Sequence, residues 1–148
     1  MIEDFRDLLE QLVAADVRFL VVGAHALAVH GVPRATGDLD VWVRPDPENA
    51  KCVVTALGTF GAPTDALGIS EHDFVRPDVV AQFGLPPYRV DLMTSISGVD
   101  FDVAWNARIE GNVEGVLVPV LGLEAFVQNK RASGRKKDLA DLESLDRD

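Results

Sequence analysis

The sequence predicts an α+β fold, with a sheet of about four to five strands flanked by helices, in a single domain over residues 1–148. Three observations carry this expectation. Amphipathic helical periodicity opens and closes the chain, short apolar β-prone runs lie between, and connections rich in glycine and proline separate them. A chain of 148 residues can bury one hydrophobic core and is short for two.

In residues 2–15, Phe5, Leu8, Leu9, Leu12 and Val13 recur at helical spacing, with acids in the first turn where the helix dipole favours them. Residues 18–22 form a short apolar run ending at Gly23, which suits a strand buried on both faces. Good helix formers continue from Ala24 to Val29, until Gly31 and Val32-Pro33 stop them. Residues 38–43 read as a second strand closed by Pro45, and Ala50, Val53, Val54 and Leu57 place one face of a helix over 47–57. Residues 58–78, rich in Gly, Pro and Asp, read as loop with one helical turn near 70–74.

Two β-prone runs, 79–83 and 88–93, flank Gly84-Leu85-Pro86-Pro87 and read as a hairpin, with Asp91 interrupting the apolar second arm. Residues 101–109 read as a helix and 115–121 as a strand whose Pro119 favours a sheet edge. The closing helices run from about 122 to 146, broken at Ser133-Gly134.

Composition narrows the class. An apolar fraction of 47% with 26% charged residues is ordinary for a folded soluble protein. The acidic, amphipathic N-terminus lacks the basic start and apolar core of a signal peptide, and no run reaches membrane-spanning length, so the reading is cytoplasmic with no membrane partner. The lone Cys52 forms no internal disulfide and falls at an apolar helix position, as a buried inert thiol does. A net charge of −10 argues against a broad nucleic-acid surface, yet Lys130, Arg131, Arg135, Lys136 and Lys137 supply five of the 14 basic residues in one local patch.

Side chains on a strand alternate faces, so Asp38 and Asp40 project together while Leu39 and Val41 project the other way. Adjacent carboxylates repel unless a cation neutralises them, and hard oxygen ligands suit Mg²⁺ completed by phosphate oxygens. Asp91 is the natural third ligand. Three carboxylates can hold two ions, which activate an attacking hydroxyl and steady a leaving pyrophosphate. A D-x-D pair also occurs as solvated surface or a turn cap, and a lone strand acid also occurs at an edge facing water. Upstream, Gly23 permits a sharp turn, and the helix start beyond it offers N–H groups to an anion. The turn lacks G-x-G-x-x-G, which argues against a Rossmann dinucleotide site.

Gly23-Ala24, thirteen intervening residues, Asp38-Leu39-Asp40 and a later Asp91 within Arg89-Val90-Asp91-Leu92 together resemble the nucleotidyltransferases of the DNA polymerase β superfamily. A closer resemblance is to small bacterial proteins related to the AbiEii toxins of abortive-infection and toxin–antitoxin systems. It is carried by VVGAHALAVHGVPRATGDLDVWV and NKRASGRKKDLADLESL. The resemblance implies a polymerase β-like mixed sheet, with Asp38 and Asp40 as metal ligands and Asp91 as third ligand or base. It sets Gly23 under the nucleotide phosphates, makes Lys130 the family lysine near the triphosphate, and makes Asp138 the acid of the closing motif. Ala24 departs from the usual glycine or serine, losing a hydroxyl but keeping the backbone N–H.

Other residues admit two roles. Arg34 and Thr36 precede the acid pair, where each either contacts phosphate or fixes the loop. His25 and His30 are five apart and do not share a helical face, which favours packing or exposure over metal ligation. Trp42 shares the aspartate face and either walls a base pocket or packs in the core. Arg135, Lys136 and Lys137 are either a solvated helix start or a patch for tRNA or another anionic acceptor.

The reading that joins these features is a Mg²⁺-dependent nucleotidyltransferase, using two ions to move a nucleoside monophosphate from an NTP to a hydroxyl of tRNA, protein or a small molecule, with release of pyrophosphate. The alternative is a non-catalytic nucleotide-binding or partner-binding protein paired with a cognate toxin or antitoxin. Ala24 favours the alternative, and retention of three carboxylates favours the enzyme.

Overall fold

The computed structural model describes residues 2–33, 36–84 and 87–145. Helix α1 (Ile2–Ala14) leads into β1 (Phe19–Val22), α2 (Gly23–Val29), β2 (Asp38–Val43) and α3 (Pro47–Phe60). A short α4 (Thr64–Leu67) and a 3-10 turn (Glu71–Val75) precede the hairpin of β3 (Val80–Phe83) and β4 (Arg89–Met93). The chain then forms α5 (Phe101–Asn106), β5 (Ile109–Val113), β6 (Val116–Val120), α6 (Leu123–Ser133) and α7 (Lys136–Leu145). Among the described residues no helix is long and apolar enough to cross a membrane.

The strands make one mixed sheet in the order β3-β4-β2-β1-β6-β5. Strands β1/β2, β3/β4 and β5/β6 pair antiparallel, whereas β2/β4 and β1/β6 pair parallel. All four residues of β1 are buried, as the uninterrupted apolar run requires of a central strand. Strand β2 alternates between a buried Leu39 and Val41 and a half-buried Asp38 and Asp40. On the Val90 face of the sheet, Phe5 of α1, Phe60 of α3, Phe83 and Val90 surround one apolar space, and Phe74 from the 3-10 turn is fully buried. Asp40 and Asp91 project to the other face, as does Trp42. There Trp42 packs edge-on against Phe101 at 4.9 Å, Phe101 stacks on Trp105, and the Arg108 guanidinium covers Trp105 at 3.9 Å. Trp42 is 1% exposed, so of its two roles it takes the core one.

The sheet has six strands rather than four to five. The extra one is Ile109–Val113: the sequence reads as a helix ending at Ile109 with no element over 110–114, because Glu110, Gly111 and Asn112 carry little β-propensity. Its hairpin turn also escapes a sequence pattern: Glu114 and Gly115 both have positive φ, 52° and 88°, and glutamate is an uncommon residue in that conformation. Gly111 is required by close approach, since a Cβ there would lie 2.9 Å from Val29 Cγ1 of the overlying α2.

Strand β6 is interior, not the edge that Pro119 suggested. The Leu121 N–H donates to the Val21 carbonyl at 3.0 Å, so alternation aims the Pro119 nitrogen toward β1 as well, just outside a ladder whose single register pair is Val21↔Val120. The one helical turn expected near 70–74 is the 3-10 turn, fixed by a Ser70/Asp73 capping box, and α4 is an added element in a region read as loop. Cys52 is half-buried against the core rather than fully enclosed.

Gly111→Ala is expected to lower stability by about 1–3 kcal/mol through overpacking against Val29 and Val120. Urea denaturation checks it, and an unchanged midpoint would count against the tight α2–β5 contact.

Candidate active site

Parallel pairing of β2 with β4 sets Asp40 opposite Asp91 and Asp38 opposite Arg89. The first pair faces two acids across neighbouring strands. Burial raises the Asp40 carboxyl to about 6, the negative charges of Asp91 and Asp38 add to the rise, and the Lys137 ammonium opposes it. Asp91 Oδ1 is buried and has no hydrogen-bond partner. Beside them, Gly23 turns the chain from β1 into α2 at φ 68°, and a Cβ at this position would collide with Asp40 Oδ2. Glycine is thus demanded twice, by the left-handed backbone and by the carboxylate lying over it.

Asp38 stands at the mouth of the strand. Its backbone N–H donates to Thr36 Oγ1 at 3.1 Å, and its carboxylate meets Arg89 Nε at 3.5 Å. Thr36 thus makes a local hydrogen bond that holds the loop before the acid pair. Arg89 went unrecognised in the sequence because its placement depends on which strand neighbours β4. Arg34 lies outside the described residues. Ala24 is the second residue of α2 and half-exposed.

These acids line a cleft of about 740 Å³, whose opposite wall comes from α6, α7 and the turn between them. That wall is organised around Asp138, which is fully buried. Its carboxylate accepts from Ser133 Oγ at 2.7 Å, Arg135 Nε at 2.8 Å, Lys130 Nζ at 3.2 Å and the Arg135 backbone N–H at 3.2 Å. Burial works to raise the Asp138 carboxyl, but the bonds from Arg135, Ser133 and Lys130 outweigh it and hold the group well below the usual carboxylate range. Lys130 also pairs with Asp141 at 3.6 Å and is itself buried. It borders the cleft with its ammonium engaged by two buried acids. Of the three consecutive cations, Arg135 and Lys137 line the cleft, whereas Lys136 is exposed and is not among the lining residues.

The histidines have structural surroundings. His30 Nε2 donates to the Leu121 carbonyl at 2.8 Å, tying α2 to the end of β6. His25 lies 3.6 Å from Glu114 and edge-on to Phe5; burial lowers its imidazole against the raising influence of Glu114.

Among the described residues, no three His, Cys, Asp or Glu side chains converge as a ready-made cation cage. Asp40 and Asp91 meet, while Asp38 turns to Arg89. The donors nevertheless fit a hard divalent cation. They are all carboxylate oxygens, one is buried without a partner, and a cation would offset both the burial of the Asp40 charge and the repulsion from Asp91 and Asp38 that adds to its rise.

No protein-family model matches the chain, and no curated protein matches its sequence. The fold is similar to the crystal structure of a "putative nucleotidyltransferase" from Thermotoga maritima, with a TM-score of 0.61 at 21% identity, over 95% of this chain and 88% of that one. The chain therefore has a nucleotidyltransferase-like α+β fold.

Two outcomes follow. A carboxyl at about 6 in the folded chain, against an ordinary 3.8, binds more protons folded than unfolded between those values. Its contribution therefore turns unfavourable as pH rises through that window. In metal-free protein, Asp40→Asn should raise stability at pH 7.5 by about 1–3 kcal/mol, with the gain vanishing near pH 4. Calorimetric melting across pH reads this, and a gain independent of pH would refute it. Asp138→Asn should cost about 3 kcal/mol by leaving Lys130 buried with a weakened partner set, measured by urea denaturation.

Proposed function

We propose that the protein is a cytoplasmic, Mg²⁺-dependent nucleotidyltransferase related to the AbiEii-like proteins. The observation that carries this reading is Asp40 facing Asp91 over Gly23, in a cleft whose other wall bears Arg135 and Lys137. Asp38, Asp40 and Asp91 would hold two Mg²⁺ ions, which when bound neutralise the triphosphate and lower the pKa of the acceptor hydroxyl. Asp91 accepts the hydroxyl proton. The acceptor oxygen forms a bond to the α-phosphorus of an NTP as the bond to the bridging oxygen breaks, and pyrophosphate leaves toward the basic wall. The acceptor is a hydroxyl of tRNA, a protein or a small molecule.

A second reading is favoured by two features, Ala24 in the turn and the Asp38–Arg89 ion pair that draws one acid from the others. In it the chain binds nucleotide without transfer and serves in a toxin–antitoxin pair with a cognate protein.

One experiment separates the readings. Calorimetry with Mg²⁺ and each of the four NTPs should detect binding to wild type and lose it in Asp40→Asn and Asp91→Asn. Incubation with α-labelled NTPs and cellular RNA, protein and metabolite fractions should then transfer label to one fraction. Binding without transfer supports the second reading; no metal-dependent binding, or equal binding by the variants, removes the assignment of these acids.

A further inference from the structure

We propose that Lys137, not Lys130, is the lysine that meets the nucleotide phosphates, so that the triphosphate lies along the α7 wall of the cleft. This inference rests on the nucleotidyltransferase reading above and departs from the role that the family resemblance gives Lys130. Three cations on the α6–α7 wall face the acids, and they differ in what already holds them.

Lys130 is buried, and its ammonium is shared between Asp138 at 3.2 Å and Asp141 at 3.6 Å, both of them buried acids. Swinging that ammonium toward a phosphate would leave two buried acids short of their cation, which costs more than one new ion pair returns. Arg135 is exposed at its tip, but Asp138 engages its Nε at 2.8 Å and a terminal nitrogen at 3.3 Å, which fixes the plane of the guanidinium. Lys137 differs from both. It is exposed, it lines the cleft together with Asp40 and Asp91, and it makes no ion pair within 4 Å among the described residues. Across the cleft from Asp40, its positive charge opposes the rise of that carboxyl. A flexible four-carbon stem with three donors and no partner of its own is the group an incoming polyanion meets first.

The arrangement divides the basic wall into a frame and a contact. Asp138 draws Lys130, Ser133 and Arg135 together and so sets where α7 begins relative to α6. Lys137, one residue before Asp138, is carried by that frame to the cleft.

The test uses the full chain, Mg²⁺, and two probes read by calorimetry: inorganic tripolyphosphate, which carries no base, and ATP, GTP, CTP and UTP. Lys137→Met should weaken tripolyphosphate and the bound NTP at least about tenfold, as loss of a charge-assisted contact does, while Lys137→Arg stays within about threefold of wild type. Thermal melting of Lys137→Met should match wild type because the side chain is exposed. Lys137→Met binding both probes as wild type does, while Asp40→Asn loses them, overturns the Lys137 assignment and leaves the nucleotidyltransferase reading standing. Wild type binding neither probe overturns both. Equal weakening by Lys137→Met and Lys137→Arg also overturns it, since a retained positive charge would then not matter.

Discussion

The parallel ladder between β2 and β4 is the constraint on which the cleft depends. It places Asp40 directly against Asp91, and everything nearby answers to two partly buried carboxylates that repel one another. The neighbouring residue at the β1–α2 turn has to be glycine because Asp40 occupies the space a side chain would need. Lys137 stands across the cleft with a charge that opposes the repulsion. An arrangement of this kind is costly to an empty protein, because like charges are brought together out of water. It becomes favourable when a divalent cation enters, which is the physical sense in which such a site is built for a ligand rather than for stability.

The second organising feature is the Asp138 cluster, which has the opposite character. Its carboxylate is fully buried and surrounded by a lysine, an arginine, a serine hydroxyl and a backbone N–H, so its charge is satisfied. It holds α6 to α7 and needs nothing further. The contrast between an unsatisfied acid pair on the sheet and a satisfied acid on the helices separates the part of the cleft that recognises from the part that supports. It also explains why three basic residues in a row have unequal roles: Arg135 is drawn to Asp138, Lys136 faces solvent, and Lys137 faces the cleft.

The hydrophobic chemistry on the acid face is equally divided. Asp38, Asp40 and Trp42 all project the same way, yet Trp42 is covered by Phe101 of α5, on which Trp105 stacks, while the acids are left half-open. Where α5 lies over the sheet, the face is core; where it stops, the face is cleft. Strand alternation alone gives these residues one direction and cannot tell which of them a helix will cover.

By itself, the sequence determined the features that depend on local periodicity and local chemistry. The buried β1 run, the glycine exit from it, the alternation that joins Asp38 to Asp40, the β3–β4 hairpin and the two closing helices are all consequences of residues close to one another in the chain. Only the tertiary structure decided what depends on neighbours distant in sequence. It made Asp91 the partner of Asp40, set Arg89 beside Asp38, enclosed Lys130 between Asp138 and Asp141, and turned Ile109–Val113 into a strand through pairing that its own residues do not favour. The reason is the same in each case: strand order and helix covering are settled by burial across the whole core, and a pattern read along one segment carries no record of which segment will lie against it.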